Sequence, residues 1–133
     1  MPLLGMIALT IGIALWMLKL RYRAVRQDGV NPRYFQLNRG AKLPDYLIRV
    51  TQHYDNLFET PLLFYTALIL VVILKELDWV YVVLAWAYFI SRLIHAYIHT
   101  THNKLGHRRN IFLLSSALLI IIWIKLAVDI VQP

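Results

Sequence analysis

Four stretches of this chain are long and apolar enough to cross a bilayer: Pro2–Leu20, Tyr46–Leu74, Trp79–His99 and Ile111–Val131. Each lies near the roughly 17–25 residues that a spanning helix needs. The first and last are nearly featureless. The middle two are divided, and in opposite senses. The second span is polar over its first half and lipid-compatible from Leu62 to Leu74, whereas the third is apolar from Trp79 to Ile90 and polar from Arg92. Consecutive spans run in opposite directions, so both polar halves are expected at one end of an antiparallel bundle. The pattern predicts an all-α membrane protein, a single four-helix transmembrane domain covering residues 1–133.

Within the polar halves, ionisable groups recur at helical spacing. Arg49, Gln52, His53, Asn56 and Glu59 fall within an arc of about 120°, and Arg92, His95, His99 and His102 within about 80°. Charge at membrane depth costs roughly 2.5–3.5 kcal/mol per group on insertion scales, so such stripes face a protein interior or a wet cavity. Asp55 lies on the flank of the first stripe, as a partner for a basic group. Pro61 separates the two characters of the second span and is expected to kink it. Pro44 and Asp45 mark its entrance, with Asp45 as the cap. Gly5, Thr10 and Gly12 are small positions where another helix can approach. Ser115 and Ser116 read as packing residues, and Lys125 as a snorkelling side chain. Trp16, Trp79, Trp86 and Trp123 suit interface belts or packing. Turn signals at Asp28-Gly29 and Asn31-Pro32 define a first loop that is either ordered over the mouth of the bundle or mobile.

Composition strengthens this picture. Hydrophobic residues make up 59% of the 133, above the roughly 45–50% of soluble domains, and no room remains for one. A four-helix protomer of this size has little interior, which favours an oligomer that builds sites between subunits. The absence of cysteine excludes disulfides, thiolate metal sites and a cysteine nucleophile. No basic segment precedes the first apolar run, so it is expected to be a retained helix rather than a signal peptide. The net charge of +7 is concentrated in the first loop (Arg21, Arg23, Arg26, Arg33, Arg39, Lys42) and the third (Lys104, Arg108, Arg109). The positive-inside rule places both loops in the cytoplasm and both termini outside. Topology and anionic lipid headgroups account for most of this charge, with a specific anionic ligand as the alternative for any one loop residue, and nucleic acid is not an expected partner.

Three constellations carry candidate chemistry. Asn56 and Glu59 lie one turn apart, an amide beside a carboxylate, suited to an ammonium and a peptide-like backbone, with arginines nearby for carboxylates. The alternative is a salt-bridge network, for instance between Glu59 and Arg92, in a non-catalytic binding or structural membrane protein. His95, His99 and His102 have a spacing that can hold a metal, but hydrogen-bonding or substrate-contacting histidines are the preferred reading. Arg108 and Arg109 before the last span are either interfacial stop residues or include one that turns inward. An inward arginine in a poorly hydrated cleft favours a bound thiolate, the nucleophilic form of a thiol.

The run Arg49–Pro61, RVTQHYDNLFETP, resembles the second-helix signature of the MAPEG family (membrane-associated proteins in eicosanoid and glutathione metabolism). Arg92-Leu93-Ile94-His95, with Arg108 sixteen positions later, is similar to the third-helix pattern of that family, and Arg23-Ala24 with Asn31-Pro32 resembles its first-loop entrance. The likeness covers nearly the whole chain and implies a homotrimer of four-helix subunits in a bacterial inner membrane. It implies glutathione bound between subunits at the cytoplasmic end, and a lipophilic small-molecule substrate entering from the bilayer. By position, Asn56 and Glu59 would hold the glutamyl end, Arg92 would support the carboxylates, Arg108 would activate the thiol, and Arg23 would lie near the site. Arg49, Gln52, His95 and His99 complete the expected binding set, and no metal is called for. The chain departs from the family pattern at Gln52, where members often carry a second arginine, and at His99, where a tyrosine is expected. The expected activity is that of a glutathione (or other thiol)-dependent transferase or peroxidase acting on lipophilic electrophiles.

Overall fold

The computed structural model describes residues 1–37 and 42–131. Arg39, one of the first-loop basic residues, lies outside them. Among the described residues there are five helices and no strand: α1 (Pro2–Gln27), α2 (Tyr34–Leu37), α3 (Asp45–Ile73), α4 (Trp79–Thr100) and α5 (Leu105–Val131). All but α2 are long and apolar enough to cross a membrane, which is the all-α, four-span architecture read from the hydropathy pattern.

Local chemistry sets the helix limits. Pro2 occupies the first turn of α1, where a missing N–H leaves no bond unmade. The helix continues past its apolar window because nothing in Arg21–Gln27 stops it. Gly29, at φ 67°, then turns the chain, and the N–H groups of Asp28 and Val30 both donate to the Ala24 carbonyl. At the start of α3 the N-cap is Pro44, and Asp45 is the first helical residue, its carboxylate on the positive end of the helix dipole without a capping bond. Asp78 caps α4 through its Oδ1, which accepts from the Tyr81 N–H at 3.0 Å. Pro61 lies inside α3 with its ring buried, and the helix runs through it as one element.

The helices bury one face each. In α3 this face is Leu47, Val50, His53, Leu57, Pro61, Phe64, Ala67 and Val71, stepping by three and four. In α4 it changes character along its length, from Tyr81, Ala85 and Tyr88 to Ser91, Arg92, His95 and His99. The opposite faces present Leu4, Ile11, Leu62, Ile69, Ile90, Ile120 and Ile124, as a hydrocarbon surround requires. Lipid tails are as apolar as these side chains, so cohesion comes from close packing and buried hydrogen bonds rather than from expelling water.

α3 and α4 form the central pair. α1 packs on both from one side and α5 on both from the other, and the α1 and α5 backbones do not approach each other. Close approach is visible at Gly5 of α1, where an added Cβ would stand 2.6 Å from the Phe89 ring of α4. Gly12, by contrast, has open space around it. Phe64 stacks on Tyr88 across the central seam with centroids 4.3 Å apart. Polar contacts fix the antiparallel sense. Arg49, near the start of α3, meets the Thr101 carbonyl at the end of α4, while Lys125, late in α5, meets Asp78 at the start of α4.

Lys125 does more than extend toward a headgroup layer. Its Nζ lies 2.8 Å from carboxylates of both Asp78 and Asp129 and 4.4 Å from the centroid of the Tyr81 ring. The buried Tyr81 hydroxyl donates to Asp129 at 2.6 Å. One lysine therefore ties the cap of α4 to the last turns of α5.

Candidate functional site

The polar halves of α3 and α4 meet at the end of the bundle that carries the first and third loops. The buried faces described above bring His53 of α3 against His95 and His99 of α4, with all three rings essentially inaccessible. His53 meets His95 and His99 edge-on, with centroids 5.5 and 5.3 Å apart, while His95 and His99 lie parallel at 5.6 Å. The Nδ1 atoms of His53 and His99 approach to 3.3 Å. Among the described residues, no group of three or more His, Asp or Glu side chains is arranged to hold a metal ion.

α5 supplies the cation. It begins at Leu105 rather than at the apolar Ile111, so Arg108 and Arg109 sit on its first turns. Arg108 is half-buried, and its Nη1 lies 3.0 Å from both His99 Nε2 and Asn103 Oδ1. Asn103 adopts φ 47°, a left-handed conformation that asparagine accepts more readily than most residues. Beside this arginine a cavity of about 450 Å³ opens, lined by Asn56, His95, Leu105, Gly106, Arg108, Arg109 and Phe112. Amide, imidazole and guanidinium groups from three helices thus face one hollow. That hollow can take a polar, anionic guest with an apolar flank against Leu105 and Phe112.

Deeper in the seam Arg92 is fully buried. Its Nη2 donates to the Asn56 carbonyl at 3.2 Å, whereas its Nε and Nη1 have no partner. His53 Nε2 and His95 Nδ1 are likewise buried and unpaired. Desolvated donors of this kind are costly when left unmade.

The sequence-derived residues therefore divide. Asn56, Arg92, His95, His99 and Arg108 converge. Arg49 is adjacent, closing the C-terminus of α4 through Thr101. Glu59 and Gln52 are exposed on the protomer surface, and neither lines the cavity beside Arg108. The ion pair between Glu59 and Arg92 contemplated above does not form, because Arg92 turns into the seam and Glu59 away from it. Arg23 is exposed, bonded to Gln27 at 3.1 Å and set over the Tyr46 ring at 5.3 Å. Asp55 is also exposed, as is His102, which is near Thr101 and His107. The binding set drawn from sequence left out His53, although the three-and-four step through Val50, Leu57 and Phe64 passes directly through it. It also left out Phe112, for which no signal stands out in the sequence.

The MAPEG family model matches residues 1–128. The chain belongs to the MAPEG family. No curated protein and no solved structure matches it. MAPEG proteins are membrane proteins associated with glutathione in general, and the four apolar helices agree with that setting. In this MAPEG chain Asn56, Arg92 and Arg108, the residues that the resemblance singled out, are contributed by α3, α4 and α5, respectively.

Proposed function

We propose that this MAPEG protein is a membrane enzyme that uses glutathione, or another low-molecular-weight thiol, to conjugate or reduce lipophilic electrophiles. The observation that carries the reading is the Arg108 guanidinium at the wall of the 450 Å³ cavity, with Asn56 and His95 facing the same space. Arg108 lowers the pKa of a bound thiol by favouring the anion, and the thiol proton leaves to solvent. In conjugation the thiolate sulfur bonds to an electrophilic carbon as the electron pair passes to a leaving group or a conjugated carbonyl. In reduction it attacks a peroxide oxygen, the O–O bond breaks to release the alcohol, and a second thiol turns the sulfenic acid into disulfide and water. Asn56 bonds the peptide part of the thiol, and Arg92, buried behind it, supports the network around the site by donating to the Asn56 carbonyl. His95 borders the cavity, His99 holds Arg108 from the buried side, and Arg49 holds the neighbouring helix end. Catalysis on this reading rests on positioning and charge stabilisation.

Glu59, Gln52 and Arg23 face outward from the protomer. That placement suits a homotrimer in which the outward face of α3 borders a neighbouring subunit and Glu59 receives the ammonium of the thiol peptide across the boundary. The basic loops face the cytoplasm, both termini lie outside, and the lipophilic substrate enters from the bilayer.

One observation favours a second reading. Both bonds of Arg108 are made within the protomer, to His99 and Asn103, as a purely architectural brace would be. Mixing purified protein with glutathione while following thiolate absorbance at neutral pH separates the two. The enzymatic reading expects a signal in the wild type that Arg108→Ala removes. A flat trace in both, with loss of thermal stability in the variant, leaves only the brace.

A further inference from the structure

The two contacts of His99 assign its protons. A guanidinium can only donate, so Arg108 Nη1, 3.0 Å from His99 Nε2, requires that nitrogen to carry its lone pair outward. The proton of a neutral His99 is then on Nδ1, which points at His53 Nδ1 across 3.3 Å. His53 Nδ1 must accept, and its own proton moves to Nε2. That atom is buried and has no partner. The chain of donors therefore has one direction, Arg108 to His99 to His53, and it ends on an N–H without an acceptor.

An apolar side chain at position 53 would pack the same face of α3 without burying that N–H, since its neighbours on the face are Val50, Leu57 and Phe64. A residue that leaves a buried donor unmatched is poorly explained by packing alone. What His53 supplies is the acceptor that holds the proton of His99 on the far side of the ring from Arg108. We infer that His53 is a positioning residue: by accepting from His99 it fixes the tautomer that receives Arg108, and so keeps the guanidinium at the cavity wall. The inference rests on the role proposed for Arg108, but the tautomer itself is independent of any thiol.

The test uses the full-length protein in detergent with ¹⁵N-labelled histidine, with each ring signal assigned by substitution. Wild type is expected to show His99 protonated on Nδ1 and His53 on Nε2, with no thiol present. His53→Asn, whose amide oxygen can stand where Nδ1 stood, keeps the His99 tautomer. His53→Met, which offers no comparable acceptor, releases it, and His99 exchanges between forms. In the same two variants the midpoint of thiolate formation with glutathione stays near the wild-type value for His53→Asn. It rises by about one pH unit for His53→Met, the tenfold change that a lost hydrogen bond of ordinary strength produces. A His99 ring protonated on Nε2 in the wild type overturns the inference, as does a His53→Met protein with an unchanged His99 signal. A wild type that forms no thiolate removes the thiol reading alone, because the ring signals still decide the role of His53.

Discussion

Arg49 donates from Nη1 to the backbone carbonyl of Thr101 at 2.6 Å, so a side chain near the entrance of α3 closes the exit of α4. The last carbonyls of a helix have no partner of their own and carry the negative end of its dipole. A cation there satisfies both. Replacing Arg49 by Ala is expected to lower stability by about 1–2 kcal/mol, read as a drop in Tm in detergent. Lysine should recover part of the loss. An unchanged Tm in the alanine variant would show that the contact contributes nothing.

The pairing at the opposite end makes a pH prediction. The hydrogen bond from Lys125, followed by that from the Tyr81 N–H, holds the Asp78 carboxyl below its ordinary range. An unfolded aspartate titrates near pH 3.9, so protonation favours the unfolded chain. The contribution of Asp78 is therefore complete above that value and is lost as pH falls through the lower folded one. Tm measured against pH should show an acid limb that Asp78→Asn flattens, and added salt should shrink it because the carboxylate is exposed. Identical profiles for wild type and variant would refute the assignment.

Gly5 is where α1 comes closest to α4, and the Phe89 ring occupies the space a side chain would need. Gly5→Ala should cost about 1–2 kcal/mol through overpacking. Shortening the obstacle with Phe89→Leu should offset much of that penalty in the double variant. Gly12→Ala, with nothing near it, serves as the control and should be neutral or slightly stabilising. Additive losses in the double variant would mean that the two residues do not compete for one space.

Asn103 has two functions that substitution can separate. Its backbone is at φ 47° and its side chain accepts from Arg108. Glycine accommodates the conformation and removes the acceptor. Asn103→Gly is expected to change Tm little while raising the pH at which bound glutathione ionises, since Arg108 then keeps only the bond to His99. If the ionisation midpoint does not move, the amide does not hold the arginine.

With no cysteine in the chain, Glu59→Cys gives a single labelling site on the outward face of α3. If that face borders a thiol-binding cleft between subunits, the cysteine should react with a soluble maleimide. S-hexyl glutathione, which carries no free thiol to consume the label, should slow that reaction several-fold. Labelling that is indifferent to the conjugate places Glu59 away from the bound molecule.

Hydropathy made the four spans legible, because a membrane helix must advertise itself over about 20 residues. The opposed polar halves likewise announced their meeting. Orientation within the stripes was harder. An arc of about 120° on α3 is wide enough to include residues that face the seam and residues that face away, and it did so. His53 and Asn56 turn inward while Gln52 and Glu59 stay on the surface. Helix ends also ran beyond the apolar windows. Arg21–Gln27 extends α1 and Leu105–Asn110 begins α5, since charged residues continue a helix well in water. The pairing of Lys125 with Asp129 follows from i, i+4 spacing, but its second partner, Asp78, is far off in sequence and only the fold brings it near.

The α1 and α5 backbones stand on opposite sides of the central pair. Within one protomer, a backbone shift at the guanidinium on the last helix is passed to the first by way of the two helices between them. The outer surface of α1 can thus drift to suit a thicker or thinner bilayer, one exposed leucine or isoleucine at a time, while the opposite flank keeps its geometry.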